Sequence, residues 1–138
     1  MTGRARTFLV LGAAFAALAV AIGAFGAHAL RERLAPDAIA IYQTGVQYHF
    51  WHALGLLAVG LVDGRKSSAG AWVGAAGWLL AAGIVLFSGS LYALALGAPR
   101  AIGMLTPLGG IAFIGGWAAL AVGMGRAGRG EENRPSKD

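Results

Sequence analysis

The chain has 138 residues, of which 57% are hydrophobic and 12% are charged, and it contains no cysteine. An ordinary soluble domain has about 25% charged residues, so this chain lacks the charge to cover a water-facing surface. The missing cysteine excludes disulfides, thiolate metal sites and cysteine-based catalysis. The net charge of +5 comes from Lys and Arg in short islands rather than on one amphipathic face, which argues against nucleic-acid binding.

Four charge-free spans separate these islands. Each exceeds the ~20 residues that a helix needs to cross a hydrocarbon core about 30 Å thick. We therefore predict an all-α fold, a membrane-spanning four-helix bundle, with helices at about 7–30, 38–62, 69–96 and 102–125. The same division predicts a cytoplasmic N-terminus at 1–6, a transmembrane domain at 7–125 and a disordered basic tail at 126–138.

The first span also imitates a signal peptide, because Arg4 and Arg6 precede an apolar run that ends in Ala27-His28-Ala29. We interpret it as a retained helix, since the run exceeds the 7–15 residues of a signal-peptide core. Small residues recur along it in steps of three and four, and the spacing returns on the third and fourth helices. Because small side chains let membrane helices approach closely, we predict packing at Gly12, Gly23, Gly26, Gly74, Gly77, Gly109 and Gly116.

The second helix carries an uncharged polar segment, Tyr42 to His52, which holds two of the chain's three histidines. Polar groups inside a membrane are expensive and therefore mark candidate functional sites. Tyr42, His49 and His52 share one face of this helix. With a rise of 1.5 Å per residue, both histidines fall at or above the membrane midplane.

Local signals mark the remaining helix ends. Asp63-Gly64 is predicted to end the second helix, and Ser67 or Ser68 to cap the third. The short connection Gly97-Ala98-Pro99-Arg100 predicts an antiparallel hairpin of the third and fourth helices. Thr106-Pro107 fits the N-cap and first position of the fourth helix, and the alternative is a proline kink within it.

The third and fourth helices add polar residues at the depth of those on the second. Ser88, Ser90 and Tyr92 lie twelve to eight residues before Arg100, and Thr106 enters the membrane from the same side. We therefore predict one polar cluster in the outer half of the bundle, made of His28, Tyr42, His49, His52, Ser88, Ser90, Tyr92 and Thr106.

Three chemistries fit this cluster. Hydrogen bonds from His49 and His52 across helices, to Ser88, Ser90, Tyr92 or Thr106, would contribute about 1 kcal/mol each. Imidazoles also ligate metal ions and haem, although His49 and His52 lie on one helix whereas haem needs opposed ligands. A pocket of His, Tyr and Trp could instead bind a quinone or another small molecule. No cofactor is predicted and no catalytic residue is identified, because the spans contain no acidic group; whether a metal binds stays open.

Orientation follows from the Lys and Arg in alternate connections. The N-terminus, the second connection and the tail hold two, two and four, whereas the first and third connections hold two and one. Eight basic residues against three predict that both termini lie in the cytoplasm.

Four motifs occur in order along the chain: Gly23-Ala24-Phe25-Gly26-Ala27-His28, Tyr48-His49-Phe50-Trp51-His52-Ala53-Leu54, Phe87-Ser88-Gly89-Ser90-Leu91-Tyr92 and Thr106-Pro107-Leu108-Gly109-Gly110. Together they resemble the YgdD-like family of small inner-membrane proteins, which is related to the animal mitochondrial transmembrane protein 256 family. The resemblance covers nearly the whole chain up to Gly125 and implies a four-helix inner-membrane protein, without an activity, a cofactor or catalytic residues to transfer.

We therefore predict a multi-pass protein of the bacterial cytoplasmic (inner) membrane that is a non-enzymatic structural or accessory component. The alternative is a module that binds a small molecule, a metal, haem or quinone through the polar cluster. A transporter is disfavoured, because short helices without intramembrane carboxylates offer little for ion coupling. The expected partners are the lipid bilayer and either a second copy or another membrane protein, with no nucleic acid.

Overall fold

A computed structural model of the chain describes residues 1–63 and 70–132, and within these ranges all regular structure is helical. Two π-helical segments and one 3₁₀ segment interrupt or extend the α-helices, so the five α-helices make four long helical stretches. The α-helices are α1 (Gly3–Phe25), α2 (Pro36–Asp63), α3 (Gly70–Gly83), α4 (Gly89–Ala95) and α5 (Leu105–Glu132). The first π segment (Gly26–Leu30) continues α1, the second (Ile84–Ser88) joins α3 to α4, and the 3₁₀ segment (Arg100–Met104) leads into α5.

The first helix begins at Gly3, so its start lies inside the segment predicted as a separate N-terminus at 1–6. Thr2 is the N-cap, and its hydroxyl accepts a hydrogen bond from the N–H of Ala5 at 3.0 Å. A capping hydroxyl satisfies one of the N–H groups that the first helical turn leaves free. Arg4 is therefore part of α1, and the helix fixes the direction in which its side chain projects.

The last helix differs from its predicted ends on both sides. α5 begins at Leu105 after the 3₁₀ segment, so Thr106 and Pro107 lie in its first turn rather than at the N-cap and first position. Pro107 still costs no intrahelical hydrogen bond, because the first four N–H groups of a helix have no partner within it. At the other end α5 continues to Glu132, into the segment predicted as disordered. Residues 133–138, and the predicted end signals Gly64, Ser67 and Ser68, lie outside the described residues.

Three helical stretches of the described chain are long and apolar enough to cross a membrane: Gly3–Leu30, Gly70–Ala95 and Arg100–Ala127. α2 has the necessary length of 28 residues but not the hydropathy. Its polar segment, which includes Gln43, Gln47, His49 and His52, lowers the mean. Composition alone therefore supports three of the four predicted spans.

The helices pack in two close pairs, α1 with α2 and α3 with α5. The two pairs meet through α2, which also contacts α3, α4 and the second π segment. The largest fully buried apolar side chains are Phe8, Leu56, Val59 and Leu80. Large apolar side chains also cover the outside, among them Val10, Val20, Leu61, Val85, Ile111 and Ile114. An apolar exterior over an apolar core is what a hydrocarbon solvent requires.

The predicted packing glycines all lie against a neighbouring helix. A Cβ placed on Gly12 would approach the backbone N of Leu57 to 2.9 Å, and one on Gly116 would approach Leu80 to 2.8 Å. At Gly109 the added atom would overlap the backbone of Phe87. The others meet Val46 (Gly23), Tyr42 (Gly26), Arg4 (Gly74) and Phe8 (Gly77). Helix contact at these places depends on the missing side chain.

Candidate functional site

The buried face of α2 presents its polar residues to the other helices. Tyr42, His49 and His52 are all buried, and His49 is only 2% exposed. Their spacing of seven and three residues places them on one side of the helix. Gly45 lies on the same face, and a Cβ there would come within 2.8 Å of the Tyr92 ring. The missing side chain at Gly45 therefore lets Tyr92 reach α2.

His49 and Tyr92 connect α2 to α4. The imidazole Nδ1 of His49 and the hydroxyl oxygen of Tyr92 are 3.1 Å apart, at hydrogen-bond distance. On its other side the His49 ring meets the ring of Phe15 from α1 edge-on, with 5.6 Å between centroids. The imidazole is thus held between two helices.

Tyr42 connects α2 to α1. Its hydroxyl donates a 2.8 Å hydrogen bond to the carbonyl oxygen of Ile22. Its ring also lies 5.2 Å from the ring of Tyr92, measured between centroids. Gly26 supplies the space for this ring, because any side chain there would overlap it. Tyr42 and Tyr92 therefore bring α1, α2 and α4 together at one level.

Ser90 and Thr106 connect α4 to α5. Their hydroxyl oxygens are 2.7 Å apart, and the Ser90 hydroxyl also donates to the carbonyl of Phe87 at 2.9 Å. Because Ser90 has a single hydroxyl proton, the Thr106 hydroxyl donates in the pair. The second π segment ends at Ser88, two residues before Ser90.

His52 has no hydrogen bond to another helix among the described residues, contrary to the expectation that it would bond across helices. Its Nδ1 donates to the carbonyl of Tyr48, one turn earlier, at 2.6 Å. Its ring stacks on Phe113 of α5 with 3.4 Å between centroids and a 13° interplanar angle. The contact between α2 and α5 at this level is therefore aromatic stacking.

Besides His52, two residues of the predicted cluster, Ser88 and His28, stand apart from the hydrogen-bonded pairs. Ser88 is fully buried, and its hydroxyl has no partner among the described residues; the same holds for Nε2 of His49. His28 lies in the first π segment with its side chain exposed. The structure thus brings together Tyr42, His49 and Tyr92, and separately Ser90 and Thr106, whereas His28 faces outward.

The described side chains do not form a metal site with several histidine or carboxylate ligands, nor a haem site with two opposed histidines. Within residues 1–63 and 70–127, whose side chains the structure describes, no group of three or more His, Asp or Glu side chains converges. His49 contacts Tyr92 through Nδ1 and leaves Nε2 unpartnered, whereas Phe113 covers the His52 ring. Haem held by two histidines would need imidazoles on opposed helices, and these rings belong to one helix.

An ion pair at the opposite end of the helices was missed by the sequence reasoning. Arg4 Nη2 lies 2.6 Å from Asp63 Oδ1, and the same guanidinium donates to the carbonyl of Gly70 at 2.6 Å. The hydroxyl of Thr2 donates to Asp63 Oδ2 at 3.1 Å. The Asp63 side chain is 1% exposed and that of Arg4 is 43% exposed. The Arg4 guanidinium therefore joins three helices, α1, α2 and α3.

The signal for this pair was present in the sequence. Arg4 stands at the start of the first helix and Asp63 at the end of the second, and both ends lie on one side of the membrane in any antiparallel arrangement. Arg4 supports the predicted orientation and the comparison with a signal peptide, and Asp63 marks the end of the second helix, but no expectation pairs the two. An acidic residue at a helix end that faces a basic residue of the neighbouring helix is also a candidate contact.

The hydrogen bond between Tyr92 and His49 predicts a measurable contribution to stability. Tyr92→Phe is expected to lower the free energy of unfolding by about 1 kcal/mol, because it removes one bond between helices. Thr44→Val is the control, since the Thr44 hydroxyl donates only to Ala40 of its own helix. Unfolding of detergent-solubilised protein would measure both, and equal stability of the two variants would contradict an energetic role for this bond.

The apolar exterior, the three spanning stretches and the buried polar contacts define a helical membrane protein. The chain belongs to the family described as "Protein of unknown function (DUF423)", whose model matches residues 22–110. This range contains the whole predicted polar cluster, from His28 to Thr106, and leaves out Arg4.

Curated relatives are similar over most of their length. "UPF0382 membrane protein SSP2132" of Staphylococcus saprophyticus is 48% identical over 118 residues, which covers 86% of this chain and 96% of that protein. "UPF0382 membrane protein YwdK" of Bacillus subtilis is 49% identical over 117 residues, 85% of this chain and 94% of that protein. A UPF0382 membrane protein of Staphylococcus epidermidis is 47% identical over the same length. No solved structure matches the chain.

Proposed function

We propose that this chain is a non-enzymatic accessory protein of the bacterial cytoplasmic membrane, with α2 as a fourth span and both termini in the cytoplasm. The observation that carries the proposal is the use of the polar groups: they connect helices to one another. Tyr42 bonds to α1, His49 contacts Tyr92, and Ser90 contacts Thr106. Polar groups that bond to neighbouring helices stabilise the arrangement of the helices. Few polar groups then remain to take part in catalysis.

The position of α2 supports its role as a span despite its low hydropathy. Its 28 residues would be about 42 Å long, more than the hydrocarbon core requires. Its histidines and Tyr42 face the other helices and are buried. Polar residues in membrane helices are tolerated when they face the bundle interior. The mean hydropathy of α2 is lowered by polar side chains that face the other helices and would not contact lipid.

The charges support the proposed orientation. The end that holds Arg4, Arg6 and Asp63 also holds Arg126, whose guanidinium carbon lies 5.2 Å from the centre of the Trp72 ring. In the sequence, the N-terminus, the second connection and the tail together hold eight basic residues against three in the other connections, and basic residues collect on the cytoplasmic side. The relatives named above come from Bacillus and Staphylococcus and are called membrane proteins, which supports the cytoplasmic membrane. The finer kinship with the YgdD-like and animal mitochondrial proteins belongs to this proposal.

A second candidate function is the binding of a small polar molecule or a quinone within the polar layer. It is favoured by one observation: Nε2 of His49 and the hydroxyl of Ser88 are buried without partners among the described residues. Unpaired buried polar atoms are costly, and a ligand would satisfy them. Organic extraction of purified protein followed by mass spectrometry would reveal such a molecule. Its absence at a stoichiometric level would remove this candidate.

The absence of native cysteine makes the proposal testable with single-cysteine variants. Arg6→Cys and Ala98→Cys place a thiol at opposite ends of the helices. In intact cells a membrane-impermeant maleimide is expected to label Ala98→Cys and to spare Arg6→Cys until the membrane is broken. The reverse pattern would contradict the orientation.

The same variants, purified in mild detergent after cross-linking in the membrane, test the accessory role. A defined partner protein or a homo-oligomer is expected. A monodisperse monomer that cross-links to nothing would count decisively against an accessory role, whatever the labelling shows.

A further inference from the structure

An open groove runs between α1 and α2 on the outside of the protein. It consists of two adjoining hollows of about 210 Å³ and about 560 Å³. The hollows share Gly23, Ala27, Val46 and Gln47, so they form one continuous surface. Glycine and alanine on the α1 side keep the groove open, because a larger side chain would fill it.

The groove is polar at one end and apolar at the other. The end nearer the start of α2 is lined by Tyr42, Gln43 and Gln47. The other end is lined by apolar and aromatic side chains: Ala19, Val20, Ala24, Phe50 and Trp51. From Ile39 to Trp51 the groove follows twelve residues of helix, about 18 Å. One leaflet of the hydrocarbon core is about 15 Å thick, so the groove has the length of a single leaflet.

Two exposed carboxamides sit where they need a partner. Gln43 and Gln47 are one turn apart on α2, and both are exposed. If Asp63 marks one surface of the hydrocarbon core, a 30 Å core ends near residue 43. Gln47 then lies about 6 Å inside the hydrocarbon, where an unpaired amide costs several kcal/mol.

We propose that this groove binds one phospholipid of the leaflet on the side where α2 begins. The carboxamides of Gln43 and Gln47 donate hydrogen bonds to the ester or phosphate oxygens, and one acyl chain lies along Val20, Phe50 and Trp51. The bound molecule must be polar at the end of the groove lined by Gln43 and Gln47. It must be apolar along the rest of the groove, over about the thickness of one leaflet. A second transmembrane helix fits less well, because its apolar surface would leave both carboxamides unpaired.

The test is titration of delipidated protein in mild detergent with phosphatidylglycerol, followed by native mass spectrometry. Wild-type protein is expected to hold one lipid. Gln43→Leu and Gln47→Leu are each expected to weaken binding about fivefold, as the loss of one hydrogen bond in a membrane implies. Thr44→Val is the matched control, because it removes an exposed hydroxyl at the same depth that donates within its own helix.

A second pair of variants separates the groove from the rest of the surface. Ala27→Phe fills the groove from an exposed position and should abolish lipid retention, whereas Ala13→Phe, exposed on α1 but outside the groove, should not change it. Unchanged affinity in the glutamine variants and in Ala27→Phe would overturn the proposal. So would displacement of the lipid by a quinone, or a dimer that excludes lipid from the groove. None of these results depends on whether a partner protein copurifies.

Discussion

Gly109→Ala is expected to destabilise the folded protein by about 2–3 kcal/mol, whereas Gly110→Ala should leave its stability unchanged or raise it slightly. A Cβ at Gly109 would overlap the backbone N of Phe87 and lie 2.8 Å from its Cα. Backbone atoms cannot turn away as a side chain can. The added methyl group would therefore push α5 away from the second π segment, which contains Phe87, and from α4, which follows it. Overpacking of this kind costs roughly 1–3 kcal/mol.

Gly110 is the matched control because it adjoins Gly109 on the same helix. Its added Cβ would meet only the ring of Phe87, at 3.9 Å, which is an ordinary contact. Alanine also favours a helix over glycine by about 1 kcal/mol. Thermal unfolding of both variants in the same detergent measures the difference. Equal melting temperatures would show that the two helices are not in close contact at Gly109.

Arg4→Gln is expected to lower the free energy of unfolding by about 2 kcal/mol, because it leaves the buried carboxylate of Asp63 without its cation. Breaking a fully buried pair costs about 3–5 kcal/mol. The cost here is smaller because the Arg4 side chain is 43% exposed and water screens the attraction. Arg6→Gln removes the same charge two residues along the helix, from an exposed position, and should change stability by less than 0.5 kcal/mol.

A double-mutant cycle shows whether the effect belongs to the contact. Asp63→Asn removes the buried charge, so Arg4→Gln added to it should cost clearly less than Arg4→Gln alone. Denaturation with increasing SDS in mixed micelles would give all four stabilities. Strict additivity of the two changes would mean that Arg4 and Asp63 do not interact in the folded protein.

The helices and their close contacts could be predicted from the sequence because both depend on local patterns. A charge-free run longer than 20 residues has few alternatives to a membrane helix. Gly12 on the first helix and Gly116 on the last each belong to a series of small residues spaced by three and four. This spacing places each series on one face of its own helix, whatever the helix packs against. Burial of His49 follows from the same periodicity.

The sequence predicts a set of partners for the polar residues, Tyr92 of His49 among them, but not which residue pairs with which, because the pairing depends on geometry that the sequence encodes indirectly. A π-helical turn closes i→i+5 hydrogen bonds, and the composition of the span does not indicate where such a turn falls. The segment Ile84–Ser88 directly precedes α4, in which Ser90 contacts Thr106 and Tyr92 contacts His49. The choice of His52 between a helix-to-helix hydrogen bond and the carbonyl of Tyr48 is likewise a matter of side-chain rotamer.

The contact between Arg4 and Asp63 also bears on how the chain enters the membrane. The two residues are separated by 59 positions, so Arg4 reaches the membrane well before its partner has been synthesised. In the proposed orientation the free arginine first helps to retain the N-terminus in the cytoplasm. Once α2 has crossed and returned Asp63 to the same side, the charge is neutralised. We expect one guanidinium to direct insertion first and to hold the finished helices together afterwards.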